Sequence, residues 1–207
     1  MKSLPPPKIL IFIIAFVFSV IIVIGGIFWY INNKRIDTYI PPVSQLERSP
    51  EVPANWKLLE ARPEGYWLYY SPSWTIDPSL EESTELKAFW IGDSASSDGL
   101  YIISAIKEPT RGTLEYLDVN FANAFRQQTV QGTLIEEKVG VQGRDAISLE
   151  GKITNVQTKE IVNANLLLIS AKDGKPAYAI SAVLRNNSMY EKYLQEVLLM
   201  TLSLRFF

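Results

Sequence analysis

The longest apolar stretch in the chain runs from Ile9 to Ile31, ILIFIIAFVFSVIIVIGGIFWYI, and contains no charged residue. A helix of that length would cover about 35 Å, which exceeds the roughly 30 Å of a bilayer's hydrocarbon core. The pattern therefore predicts one transmembrane helix at 9–31, preceded by a short tail at 1–8.

Residues at both ends of this stretch are of the types that anchor a helix at a membrane interface. Lys8 precedes it, Trp29 and Tyr30 lie at its C-terminal edge, and Lys34 and Arg35 follow. Basic side chains and amphipathic rings both favour the headgroup zone. The run is longer than the apolar core of a signal peptide, about 7–15 residues, and no small-residue cleavage pattern follows it. An uncleaved signal anchor is therefore predicted.

The orientation of the predicted span is set weakly by charge, because basic residues are nearly balanced on its two sides. A very short tail before a span usually stays in the cytoplasm while a long C-terminal part is exported. We therefore expect a single-pass protein of the cell membrane, with a cytoplasmic N-terminus and an extracytoplasmic C-terminal domain.

The pattern changes twice after the span. Four prolines and few apolar residues at 32–55 predict a semi-extended tether. From Trp56 onward, apolar and polar positions alternate in short runs separated by turn residues, which indicates a globular domain at 56–207.

Alternation and turn signals predict the strands of this domain. Asp173-Gly174 is a strong hairpin signal, and Gly140–Gly143 marks another turn. From ten candidate segments we expect about seven to eight strands in one antiparallel sheet. The segments are Lys57–Ala61, Tyr66–Tyr70, one restarting at Trp74, Leu86–Ile91, Leu100–Lys107, Thr133–Val139, Arg144–Thr154, Glu160–Ala171, Ala177–Leu184 and Ser203–Phe206.

Two segments instead repeat apolar residues at helical spacing. Thr113–Gln128 has Thr113 as a candidate N-cap, and Met189–Thr201 has Ser188. Their stripes are Leu114, Leu117, Phe121, Ala124 and Phe125 in the first, and Tyr190, Tyr193, Leu194, Val197 and Leu198 in the second. Such stripes are typical of core packing. The fold class is therefore α+β, with the two amphipathic helices packed on the antiparallel sheet.

Composition narrows the chemistry. The chain has no Cys and no His, which excludes zinc, haem and iron–sulfur sites built on these residues, and also disulfides and thiol catalysis. Because Lys2 and Lys8 precede the span, 18 basic residues face 22 acidic ones in the rest of the chain. That balance argues against a nucleic-acid partner, and the sequence predicts no cofactor.

Catalytic candidates are few. A Ser–Lys pair is conceivable among Ser94, Ser96, Ser97 and Lys107, but the G-x-S-x-G pattern is absent. Glu81, Glu82 and Glu85 offer the paired carboxylates of a glycoside hydrolase, although adjacent acids on a polar loop are usually solvated. The loop from Asp93 to Asp98 lacks the D-x-D-x-D-G order of a calcium site. We therefore expect neither catalysis nor a metal.

Aromatic residues are concentrated in the first half of the domain, namely Trp67, Tyr69, Tyr70, Trp74, Trp90 and Tyr101. Alternation along Tyr66–Tyr70 places Trp67 and Tyr69 on the face opposite Tyr66, Leu68 and Tyr70. Partial exposure of one set is then expected. Trp67 and Tyr69 are accordingly candidates for surface recognition.

The run Tyr69-Tyr70-Ser71-Pro72-Ser73-Trp74 resembles the opening motif of PsbP-like domains, although Ser73 stands where that motif usually has Gly. The Gly-marked hairpin near Gly143–Ala146 and the strand–hairpin–strand–helix ending in SLRF follow the same order. The resemblance covers about 56–207. It implies an α/β/α layered fold, in a membrane-tethered bacterial version, that serves as a binding or assembly module and supplies no catalytic residues.

The sequence thus predicts a membrane-anchored protein that presents a PsbP-like domain outside the cell membrane to an envelope or membrane protein partner. Two alternatives stay open. One is an envelope hydrolase that uses carboxylates or a Ser–Lys pair. The other is a pilin-like or secretion-system subunit, which the PPP at 5–7 and the lack of an early acidic residue in the span disfavour.

Overall fold

The structure is a computed structural model that describes residues 52–80, 83, 85–92, 98–154, 159–185 and 187–207. The predicted tail, the predicted transmembrane helix and most of the tether lie outside these residues, as do the anchors Lys8, Trp29, Tyr30, Lys34 and Arg35. Among the helices of the described part, none has the length and apolar character needed to cross a membrane.

Ten strands in the described part form two antiparallel sheets. They are β1 (Lys57–Ala61), β2 (Tyr66–Tyr70), β3 (Trp74–Ile76), β4 (Leu86–Ile91), β5 (Gly99–Ile106), β6 (Ile135–Val141), β7 (Arg144–Thr154), β8 (Ile161–Ile169), β9 (Ala177–Arg185) and β10 (Arg205–Phe206). Seven of them follow the order β3-β4-β5-β9-β8-β7-β6, and β1-β2-β10 form a separate small sheet.

The expectation of a single sheet is therefore wrong, and the break lies at Ser71–Ser73. There the Trp74 amide donates to the Ser71 carbonyl at 3.0 Å, and the Ser73 amide donates to Ser71 Oγ at 3.2 Å. This turn, which contains Pro72, ends the ladder of β2 because proline supplies no backbone donor. β3 then restarts in the larger sheet, while β2 pairs with β1 on one side and β10 on the other.

The hairpin between β6 and β7 also differs from its prediction. Pairing continues to Val141 opposite Arg144, so the turn is reduced to Gln142-Gly143. Both turn residues have positive φ, 50° and 74°, as a type I′ turn requires. At the other end Thr133 is not in the strand, because its Oγ1 accepts the Lys152 amide at 3.0 Å.

Two helices complete the described part. α1 comprises Leu114–Leu117, a π-helical stretch at Asp118–Ala122, and Asn123–Gln128. Its predicted cap is confirmed, because Thr113 Oγ1 accepts the Tyr116 amide at 3.2 Å.

α2 is Tyr190–Ser203. The predicted Ser188 cap is wrong, because Asn187 Oδ1 takes the Met189 amide at 2.9 Å and the helix starts one residue later. Ser203 is still helical, which shortens the last predicted strand to β10.

The helices pack on opposite faces of the seven-stranded sheet. The α1 stripe of Leu117, Phe121 and Phe125 is buried against alternate residues of β7, β8 and β9. On the other face, Val197 and Met200 of α2 share a core with the small sheet and with β4, β5 and β9. The predicted α+β class is confirmed, and the α1 stripe is core, as expected. In the predicted α2 stripe Val197 is buried, but Leu198 is 49% exposed, so its assignment to the core is wrong.

Candidate functional site

Trp67 and Tyr69, the predicted recognition residues, lie on the side of β2 that faces away from the seven-stranded sheet. Their rings meet edge to face at 5.9 Å. The expected partial exposure is small, 6% for Trp67 and 9% for Tyr69. The segment before β1 explains this, because Val52 and Trp56 are buried in the same cluster. Recognition through these two rings stays a prediction.

The hydrolase candidates do not form a described site. Glu81, Glu82, Ser94, Ser96 and Ser97 lie outside the described residues, as does Asp93. Lys107 is exposed and Glu85 is partly buried. Within the described ranges, no group of three acidic residues is placed to hold a metal ion.

Ser104 and Lys107 have the S-x-x-K spacing, which was not among the sequence candidates. On a helix that spacing brings the two side chains together, whereas along a strand it sends them to opposite sides. Ser104 lies on β5 and is buried, and Lys107 follows the strand and is exposed. The spacing therefore does not build a nucleophile–base pair.

An ion pair is buried between the two sheets. Lys87 Nζ lies 3.3 Å from Glu64 Oε1 and donates to the Ser83 carbonyl at 2.8 Å. Tyr66 lies beside this pair, and burial together with the Glu64 charge raises its pKa well above the ordinary value. Both charges are almost fully buried, so the pair joins the small sheet to β4 and offers no surface to a ligand.

A buried arginine fastens the C-terminal strand. The guanidinium of Arg144 lies over the rings of Phe206 and Tyr178, 4.6 and 5.5 Å from their centroids. Its Nη1 donates to the Pro176 carbonyl at 2.8 Å, and Gln142 Oε1 accepts the Phe206 amide at 3.3 Å. Burial lowers the pKa of Arg144. This cluster covers one end of the seven-stranded sheet.

Glu196 holds the middle of α2 in place. One of its oxygens accepts from Trp74 Nε1 at 2.8 Å, and the other accepts from the hydroxyls of Ser71 and Ser73 at 3.0 and 3.3 Å. This side of the helix therefore faces β3 and the turn that precedes it.

The sheet face below α2 is covered at one edge and open at the other. A row of paired residues that crosses all seven strands shows the change. From β3 to β6 the row is Ile76, Phe89, Tyr101, Ala182, Asn165, Glu150 and Ile135. Phe89 and Tyr101 are fully buried, Asn165 is half-buried, and Ile135 is 56% exposed. Among the described residues, α2 thus covers this row at β4, β5 and β9 and leaves it open at β8, β7 and β6. Farther along these strands, Ala146 and Ile169 on the same face are buried.

We call this uncovered area, together with the adjoining side of α2, the open face. Its sheet residues are Ile135, Glu137, Ser148, Glu150, Lys152 and Leu167. On the helix, the residues at 190, 194, 198 and 202 recur every four positions and so lie on one side. Tyr190, whose pKa is raised by burial and by the charges of Glu150 and Glu191, begins this series. We assign Tyr190, Leu194, Leu198 and Leu202 to the open face, together with the exposed Glu191 next to Tyr190.

The open face combines exposed apolar groups with unpaired carboxylates. Leu198 and Leu202 are 49% and 63% exposed. Glu137 and Glu150 have no ion pair within the described part of the chain. Exposed apolar side chains beside charged groups are typical of contact surfaces.

No protein-family model matches the sequence. No curated protein matches it either. Solved structures that are similar to this one have low sequence identity to it, as three of them illustrate.

A Bacteroides thetaiotaomicron crystal structure is 14% identical, covers 69% of this chain and 45% of its own, and has a TM-score of 0.44. This chain therefore spans less than half the length of that protein. The Saccharomyces cerevisiae Ran-binding protein Mog1p is 11% identical and has a TM-score of 0.49, and the match covers 73% of this chain and 95% of Mog1p. The cyanobacterial PsbP of Synechocystis is 16% identical and has a TM-score of 0.47, and the match covers 79% of this chain and 99% of PsbP. Similarities of this size assign no activity or partner to this chain.

Proposed function

We propose that the protein is a single-pass membrane-anchored protein whose PsbP-like domain binds or assembles with another protein and carries out no catalysis. The observation that carries the proposal is the open face, where no described element covers the part of β6, β7 and β8 that carries Ile135, Glu150 and Asn165. A monomeric domain rarely leaves apolar side chains clustered at its surface unless they contact a partner.

The ionisable groups inside the domain support a role without catalysis. Glu64 and Lys87 neutralise each other between the two sheets, Arg144 is stacked against the C-terminal strand, and Glu196 fixes α2. Each of these groups is used in packing. Catalytic groups, by contrast, need access to a substrate in a cleft.

The anchoring rests on the apolar run at 9–31, and the assignment to PsbP-like domains rests on the run at Tyr69–Trp74. The absence of cysteine allows a direct test of orientation. A cysteine is introduced at Ser3 in one variant and at the exposed Ser188 in another, and intact cells are treated with a membrane-impermeant maleimide. We expect labelling at 188 and none at 3, and labelling at 3 alone would place the domain in the cytoplasm.

Binding is tested by photo-crosslinking in living cells. A photoreactive residue replaces Leu198 on the open face in one variant and Val119 on the exposed side of α1 in another. A discrete adduct with another protein from either position supports a binding function. Failure of both positions to give an adduct, in cells that express the folded protein, would contradict it.

A further inference from the structure

We propose that the open face binds a protein segment that is apolar on one side and rich in Lys or Arg on the other. This inference rests on the proposed function and names its surface and the chemistry of its partner. The apolar side of the partner segment contacts the exposed leucines of α2. Its basic residues lie near the carboxylates that α2 and the sheet present.

Exposed apolar side chains lie on both the helix and the sheet of the open face. Leu198 and Leu202 are 49% and 63% exposed on α2, Ile135 is 56% exposed on β6, and Leu167 on β8 is half-buried. Val119 belongs to α1, which packs on the opposite face of the sheet. Exposed leucines on a helix beside a partly apolar sheet face fit an amphipathic segment laid along the helix.

Carboxylates near α1 are paired with a basic residue, whereas those of the open face are not. Near α1, Glu136 and Asp118 both bind Arg126 at 2.6 Å. On the open face Glu137, Glu150 and Glu191 have no ion pair within the described ranges. A surface with several unmatched carboxylates attracts a basic partner and repels an acidic one.

The same charges disfavour two other occupants. Two copies of this chain related by a two-fold axis would bring like surfaces together and so oppose carboxylate to carboxylate. An anionic lipid surface would be repelled in the same way. Lys152 is the basic residue of the open face, and one ammonium does not balance three carboxylates.

The test uses the full chain in nanodiscs of zwitterionic phosphatidylcholine. Because the chain has no cysteine, Ser148→Cys accepts a single environment-sensitive dye on the floor of the open face. The probes are two 18-residue synthetic peptides with leucines at helical spacing, one with lysine and one with glutamate at all other positions. We expect the fluorescence of the dye to change in a saturable way as the Leu/Lys peptide is added. The Leu/Glu peptide should bind at least about tenfold more weakly. Equal binding of both peptides would overturn the proposal.

Matched variants locate the binding. Leu198→Ser is expected to weaken binding of the Leu/Lys peptide about fivefold, because the peptide loses its contact with a half-exposed leucine. Glu137→Gln combined with Glu150→Gln is expected to weaken this binding and to make it depend less on salt concentration. The controls Val119→Ser and Glu115→Gln, both on exposed sites of α1, are expected to leave it unchanged.

Three further outcomes overturn the inference. They are an equal effect of Val119→Ser and Leu198→Ser, a dye response that rises with protein concentration without peptide, and in-cell crosslinks from position 119 with none from 198. A crosslink from position 119 alone would still support the proposed binding function, since a partner would be captured. It would show that the binding surface is not the open face.

Discussion

At the scale of single residues, the ion pair between Glu64 and Lys87 makes stability depend on both partners together. The two side chains are almost fully buried. Lys87→Met would leave the Glu64 carboxylate buried without its cation and the Ser83 carbonyl without that donor. We expect a loss of about 3–5 kcal/mol in the free energy of unfolding, measured by urea denaturation with tryptophan fluorescence.

The control for that loss is Lys138→Met, which removes an exposed ammonium from β6. A solvated lysine contributes little to stability, so the change should stay within about 0.5 kcal/mol. Equal losses in the two variants would show that the buried pair is not what holds the small sheet to β4.

The hydroxyl of Tyr66 leads to the opposite expectation. The residue is fully buried, and within the described residues its oxygen has no hydrogen-bond partner. A desolvated hydroxyl without a partner is unfavourable, so Tyr66→Phe should leave the free energy of unfolding unchanged or raise it by up to about 1 kcal/mol. Tyr101→Phe is the matched comparison, because the Tyr101 hydroxyl lies 3.2 Å from Thr201 Oγ1.

For Tyr101→Phe we expect a loss of about 1 kcal/mol in the same denaturation experiment. If Tyr66→Phe instead lost more than Tyr101→Phe, the Tyr66 hydroxyl would have a partner such as a buried water. Glu64 Oε2, also buried and without a partner among the described residues, would be the natural second ligand of that water.

At the scale of elements, α1 is joined to the edge strand β6 by Arg126. Its guanidinium donates to Glu136 at 2.6 and 2.8 Å, and these hydrogen bonds lower the pKa of Glu136. A carboxylate whose pKa is lowered on folding stabilises the protein above its ordinary pKa and loses that contribution as the pH falls through the lowered value. The contribution is therefore complete at neutral pH and is lost as the pH falls below the ordinary glutamate pKa and through the lowered pKa of Glu136.

The corresponding experiment compares the wild type with Glu136→Gln at pH 7 and at pH 3. Because both side chains are about one-third exposed, the difference in unfolding free energy at pH 7 should be below about 1 kcal/mol. It should be smaller at pH 3, below the ordinary pKa of a glutamate, because protonation of Glu136 removes the charge that Arg126 binds. The neighbouring Glu137→Gln, which removes an unpaired exposed carboxylate, should show no such pH-dependent difference.

Most individual elements are readable from the sequence because their signals are local. β1, β2 and β4 begin and end where alternation and turn residues predict, and the Asp173-Gly174 hairpin joins β8 to β9. The division into two sheets is not local. It depends on β10 pairing with β2 across more than a hundred residues, and no periodicity within either strand indicates that partner.

The open face was missed for a related reason. Alternation predicts which residues of β6, β7 and β8 share a face, but it does not predict how far α2 extends across that face. One signal was present in the helix itself. Leu202 falls outside the predicted helix and, like Leu198, lies away from the buried positions Val197 and Met200. Exposed leucines on one side of an otherwise satisfied helix indicate a surface of contact.

At the scale of the whole molecule, the two sheets share one core. Tyr66 meets Tyr178 edge to face at 5.9 Å, and Tyr70 packs on Phe89 at 5.3 Å. Phe206 of β10 stacks on Tyr178 at 4.3 Å. Since the small sheet, the seven-stranded sheet and α2 share this core, we expect them to unfold in a single cooperative step.

Leu68→Ala tests this cooperativity, because Leu68 is a fully buried residue at the centre of the small sheet. The truncation should lower the free energy of unfolding by about 2–5 kcal/mol. In native-state hydrogen exchange followed by mass spectrometry, amides of β8 and β9 should lose as much protection as those of β1 and β2. The exposed Leu202→Ala should change neither set. Loss of protection confined to β1 and β2 would instead make the small sheet a separate unfolding unit, able to open while the seven-stranded sheet and its open face stay folded.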